Sequence, residues 1–165
     1  MVESQPPVAP HPDIAPLTPL LGSWRGNGHG EYPTIQPFSY VEEIRFGHLG
    51  RPFLMYQQKT RATDDGRPLH SETGYLRCPH PGRIELILAH PTGITEICEG
   101  SFAVEDGALH MELDSTDIGR SSTAKIVTAL SRSIHLSGDT IDYTLRMAAV
   151  GEPLRHHLAA TLRRN

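Results

Sequence analysis

From Gly22 to the end of the chain, apolar and polar residues alternate in runs of about ten, broken by Gly, Pro and Asp. A two-residue period puts successive side chains on opposite faces, as a half-buried strand requires. The pattern predicts strands over Trp24–Tyr32, Phe38–Phe46, Phe53–Thr60, His70–Arg77 and Ile84–Leu88. It continues with Ile94–Phe102, Leu109–Leu113, Ala124–Leu136, Thr140–Ala149 and Leu154–Leu162. Asp64-Asp65-Gly66, Pro79-His80-Pro81-Gly82, His90-Pro91-Thr92-Gly93, Asp106-Gly107 and Ser137-Gly138-Asp139 supply turns between them.

Ten strands joined in sequence make an antiparallel meander. Left open, so large a sheet exposes two edges, and pairing the tenth strand with the first removes both. The expected fold is therefore all-β: a ten-stranded antiparallel up-and-down β-barrel, wide enough to enclose a cavity. Upstream, Pro6, Pro7, Pro10 and Pro12 mark residues 1–13 as a disordered proline-rich tail. A short helical turn is expected over Ile14–Leu21. Residues 14–165 then form one domain, as the length of 165 residues suggests.

A formal charge of −4 with scattered basic residues argues against nucleic acid as a partner. No apolar run is long enough for a membrane span. Cys78 and Cys98 are too few for a disulfide framework and read as buried thiols in a reducing cytoplasm.

The segment Gly22-Ser23-Trp24-Arg25-Gly26-Asn27-Gly28 holds the only tryptophan. As a phosphate cradle it would need a following helix, but Tyr32-Pro33 and a β run follow instead. A structural role fits better, with Trp24 plugging one end of the barrel or lining its wall.

Ten histidines are a high count. His11 lies in the tail. His29, His48, His80, His90, His110 and His135 fall near turns or on polar faces, as solvated surface residues do. Cys78 and His80 lack a second ligand pair, so a structural zinc is rejected. His70 and Glu72 share one strand face and could act as an acid–base pair or simply pack. In the last segment His156 alternates with Leu154, Leu158, Ala160 and Leu162, while His157 falls on the other face. Periodicity alone leaves open which histidine faces the interior.

The chain resembles the nitrobindin family of haem-binding β-barrels over nearly all of residues 15–165. The resemblance rests on the GxWxGxG signature at Gly22, Trp24, Gly26 and Gly28. It also rests on Gly30–Ile35, Phe38–Ile44, Pro68–Arg77 and His157–Leu162. It implies a barrel shaped like the fatty-acid-binding and lipocalin proteins, holding one ferric haem b. His157, directly before Leu158 on the closing strand, is implied as the axial ligand of the haem iron, with His156 as the fallback. Leu69 and His70 are implied on the distal side. Thr34 and Lys125 are assigned as contacts to the porphyrin edge or propionates.

The implied partners are the small molecules nitric oxide and peroxynitrite, the latter isomerised to nitrate, with no nucleic acid or membrane and with a homodimer left open. Alternative functions for the same barrel are a carrier of a small apolar ligand, a non-catalytic nitric oxide sensor or store, and an enzyme using His70 and Glu72 on an organic substrate.

Overall fold

The protein is described as a computed structural model over residues 8–165; residues 1–7, most of the expected tail, lie outside the described residues. Ten antiparallel strands close into one barrel with every sequential pair adjacent and β10 returning to β1. They are β1 (Gly22–Tyr32), β2 (Ile35–Gly47), β3 (Phe53–Ala62), β4 (Pro68–Arg77) and β5 (Arg83–His90). The circuit continues through β6 (Ile94–Glu105), β7 (Ala108–Arg120), β8 (Val127–Ser137), β9 (Thr140–Ala149) and β10 (Arg155–Arg164). Asp106 and Gly107 both take positive φ, 51° and 79°, the requirement of the two-residue turn that suits strand twist.

Several expected boundaries shift. Ala124-Lys125-Ile126 belong to the β7–β8 connection, not to a strand, because β7 runs on to Arg120 and the turn falls later. Ordered structure also starts before residue 14. A 3₁₀ helix spans Pro12–Leu20, and the His11 ring accepts the Asp13 amide at 3.2 Å as its N-cap. Pro12 sits where no intrahelical donor is needed, and Pro16 and Pro19 deny the segment a longer α-helical ladder. Three residues per turn put Ile14, Leu17 and Leu20 on one line, and all three are fully buried against the barrel end.

The GxWxGxG segment builds that end. Trp24 is fully buried and donates its indole N–H to the Leu20 carbonyl at 2.7 Å. The Arg164 guanidinium lies 4.2 Å from the centre of the Trp24 ring. It also donates to Leu21 O at 2.7 Å and Pro19 O at 2.8 Å, binding the helix to the last strand. The glycines make room for rings. A Cβ on Gly28 would stand 2.2 Å from the Tyr40 ring, and one on Gly30 would stand 2.3 Å from the Phe38 ring. Neither space could be had with any larger residue. Cys78 and Cys98 are free thiols; Cys98 is buried, but Cys78 is only half-buried.

Candidate functional site

Above the plug the barrel is hollow. A cavity of about 840 Å³ is bounded by Leu20 and Leu76 below and by Ile35, Thr63, Leu69 and Thr92 toward the other end. The volume falls in the roughly 300–1,000 Å³ range of sites that enclose a cofactor-sized ligand. Most of the wall is apolar: Ile44, Phe46, Leu86, Met111, Leu130, Ile134, Ile141, Leu145 and Met147 all line it.

His157 enters this cavity through an irregularity in β10. Leu162, Ala160 and Leu158 point inward by ordinary alternation, which would next bring in His156. Instead, His156 pairs with Arg146 and Leu158 pairs with Leu145, leaving His157 as the extra residue of a β-bulge. The bulge resets the phase: His157 and Leu158 both line the cavity, while His156 is exposed. The leucine face does point inward, and the inward histidine is nevertheless His157.

The His157 ring is fixed at two points. Its Nδ1 lies 3.0 Å from the Glu31 carbonyl, an acceptor, so Nδ1 carries the proton and Nε2 keeps a free lone pair. The Tyr32 ring meets it edge-on, with centroids 5.2 Å apart. Tyr32 is itself anchored across the barrel, accepting the Ala149 amide at 2.9 Å and lying 3.1 Å from Met147 O. Burial holds the His157 pKa below the usual histidine value, against the opposing effect of the hydrogen bond that Nδ1 donates to Glu31 O. A neutral imidazole with one oriented lone pair is what haem or another metal group takes as an axial ligand.

The other expected site residues are placed as follows. Leu69 and His70 line the cavity near its mouth. Thr34 lies in the β1–β2 turn and Lys125 in the β7–β8 connection. Both are exposed on the open-end loops and outside the cavity lining. Gly22, Trp24, Gly26 and Gly28 also lie outside it.

The sequence reading missed a buried polar network on one wall. His90, expected as a surface residue, has a side chain only 8% exposed. Its Nδ1 is 3.1 Å from His70 Nε2, and its Nε2 is 3.2 Å from Glu96 Oε1. Arg132, only 5% exposed, is paired with Glu96 and lies 3.8 Å from Glu72. Tyr56 donates to Glu72 at 2.7 Å. Burial works against the charge on Glu72, but His70, Arg132, His90 and Tyr56 together hold its pKa down to about 2. Burial likewise opposes ionisation of Glu96, and Arg132 and His90 together outweigh it and hold its pKa down.

A second group surrounds Glu42, which accepts from Tyr143 at 2.7 Å and from Gln58 at 3.0 Å. Among the described residues no cation pairs with it, and burial raises the Glu42 pKa to about 7. The signal for these groups was present only as charged residues at inward strand positions, such as Glu42, Glu96 and Arg132. Such positions ordinarily hold apolar side chains.

A closed barrel with a cofactor-sized hollow and one preoriented imidazole at its mouth defines a haem-protein-like site. The chain belongs to the family whose model is described as the THAP4-like, heme-binding beta-barrel domain, which matches residues 13–164. It is 72% identical over 165 residues to "Peroxynitrite isomerase" of Nocardia farcinica, covering 100% of this chain and 98% of that one. It is 60% identical over 154 residues to "Peroxynitrite isomerase 2" of Mycobacterium avium, covering 93% and 96% of the two chains. The crystal structure of Rv2717c from M. tuberculosis superposes with a TM-score of 0.93 at 55% identity, covering 95% of this chain and 99% of that one. The nitrobindin resemblance and the ten-stranded barrel are thereby upheld. Among the described residues no helix is long and apolar enough to cross a membrane.

Proposed function

We propose that the chain is a haem-dependent peroxynitrite isomerase whose single haem b is held through His157 and rests in the ferric state, able to take nitric oxide. The observation that carries this reading is the β10 bulge, which turns His157 into the cavity with Nδ1 committed to Glu31 O. Relatives named as peroxynitrite isomerases at 60–72% identity supply the reaction.

When bound, a ferric haem supplies an electrophilic metal for nitric oxide or a peroxynitrite oxygen and promotes conversion of peroxynitrite to nitrate. The chain's part is positional. Glu31 and Tyr32 hold one tautomer and one ring orientation of His157. The apolar wall from Ile44 to Met147 keeps water from the cavity and confines a small reactant. Leu69 and His70, in the cavity lining, would border a bound haem; isomerisation needs no general base, so His70 would orient or gate the reactant. Thr34 and Lys125, exposed on the open-end loops, would meet the porphyrin edge or propionates of a bound haem. The two free thiols accord with a reducing, cytoplasmic setting.

The test mixes ferric protein with peroxynitrite and follows its decay to nitrate. At equal haem loading, His157→Ala should lose the protein-dependent rate. An equal rate in that variant would remove the axial role, and nitric oxide binding without turnover would remove the isomerase.

A further inference from the structure

The part of the wall formed by β4 and β5 carries a triad of which the haem reading above uses only His70. His70 Nε2, His90 Nδ1 and Glu72 Oε2 form a triangle with edges of 3.1, 3.4 and 3.6 Å. Ligand atoms around a tetrahedral ion with bonds of about 2.0–2.1 Å stand roughly 3.3 Å apart. The triangle thus already has the spacing of three corners of such a site, and all three residues line the cavity.

The protons make the case sharper. Glu96 can only accept, so the His90 proton sits on Nε2, 3.2 Å from its carboxylate, and Nδ1 is left as a bare lone pair. That lone pair faces Glu72 Oε2, another acceptor, at 3.4 Å. Of the three converging atoms only His70 Nε2 can supply a proton between them. A shift of that proton to His70 Nδ1 turns all three into donors to a cation.

The surroundings resemble the outer shell of a metal site. Glu96 holds the far nitrogen of His90, as carboxylates commonly do behind a ligating histidine. Tyr56 holds the other oxygen of Glu72 at 2.7 Å. Glu72 and Glu96 carry two negative charges against the one positive charge of Arg132, so the cluster retains a net charge that a cation would offset.

We propose that His70, Glu72 and His90 form a second, non-haem site for a divalent transition-metal ion of the zinc class, with its remaining coordination position open to the cavity. The proposal goes beyond the haem reading, does not depend on it, and shares only His70 with it.

The experiment uses the tag-free full chain, loaded with haem so that His157 is occupied. It is dialysed against zinc, and zinc per chain is measured by elemental analysis. One zinc per chain is expected, with affinity falling at least about 100-fold in His90→Ala and in Glu72→Gln. Glu96→Gln should weaken it by roughly 10–100-fold. The stacked surface pair His110 and His135, with ring centroids 4.4 Å apart, is the obvious competing site, and His110→Ala should leave binding unchanged.

No bound zinc, zinc retained in both triad variants, or zinc lost in His110→Ala would overturn the proposal. Should His90→Ala fail to fold, the near-isosteric Glu72→Gln carries the comparison. Cobalt added to the unmutated haem-free chain gives an independent readout. Four-coordinate visible bands are expected, and six-coordinate spectra alone would also overturn the proposal.

Discussion

The two ends of the barrel are stabilised by different physics. The closed end is apolar: Trp24, Ile14, Leu17 and Leu20 are fully buried, and the Arg164 guanidinium is spread over the indole face and two carbonyls. The cavity wall and the layer behind it instead bury Glu42, Glu96, Arg132 and the side chain of Glu72 inside a barrel that could have used leucine. Replacing buried ions by well-packed apolar residues is often neutral or stabilising. The charges are therefore poor candidates for stabilising elements, and their position around the hollow ties them to what the hollow holds. The closed end sets the shape and the wall sets the chemistry.

The largest expected effect lies at the closed end. Trp24→Ala removes a fully buried indole, its bond to Leu20 O and the surface under Arg164. A loss of about 3–5 kcal/mol is expected in denaturant unfolding, nearly the same at pH 5 and pH 8 because no titrating group is exposed to the change. A strong pH dependence of that loss would contradict the division between the two ends.

Arg132→Met should destabilise by a similar or slightly smaller amount, about 3–4 kcal/mol near neutral pH, because it strands Glu72 and Glu96 without their cation. Here the loss should shrink on acidification, as the stranded carboxylates take up protons. Unfolding curves at pH 5 and 7.5 separate this behaviour from the Trp24 case.

Glu42 gives a third effect, of opposite sign to that of Glu72. Its pKa rises from the reference value of 4.5 to about 7 on folding. Between those values the folded chain binds more protons than the unfolded one, so stability falls as pH rises from about 4.5 to 7. Glu72, depressed to about 2, contributes stability that is complete above about 4.5 and disappears as pH falls toward 2. Glu42→Gln should flatten the fall between pH 5 and 7 and leave the variant up to about 3 kcal/mol more stable than the parent at pH 8. A parent curve that is flat across this window would place the Glu42 pKa elsewhere.

A smaller effect is expected at the β9–β10 turn, beside the bulge. Val150 has φ of 49°, a conformation a β-branched side chain rarely adopts. Val150→Asn should stabilise by about 1 kcal/mol, read as a rise in Tm.

The sequence disclosed the two ends unequally. The closed end was legible because its determinants are local: the alternation gives the strands, the Asp-Gly pairs give hairpins, and Trp24 among glycines announces a tight structural join. The 3₁₀ helix was only half visible: a helical turn was legible over Ile14–Leu21, but its start at Pro12 read as part of a disordered proline-rich tail. The cavity wall was largely illegible. His90 sits at the end of β5, where a turn histidine is usually solvated. Only the pairing of β5 through β8 into one curved wall brings Glu96 and Arg132, 36 residues apart, into contact around it. His157 was out of reach of periodicity for a different reason: alternation holds only while the register is regular, and the extra residue in β10 leaves no mark in composition. The family resemblance supplied what the pattern could not.

The smallest effect tests that last point most directly. His156 is exposed on the outer surface and His157 faces the cavity, though they are neighbours of one residue type. His156→Ala should change stability by less than about 0.5 kcal/mol and leave hemin titration unchanged, since an exposed side chain away from caps and ion pairs carries little. His157→Ala, by contrast, should blunt and shift the Soret band on hemin addition while costing little stability in the haem-free chain. If the two substitutions exchanged these effects, β10 would be regular, with alternation carrying His156 inward and the bulge absent in solution. If both weakened hemin binding equally, neither ring alone would be the ligand. The expected asymmetry between adjacent histidines is thus a measurement of strand register, obtained without a second structure.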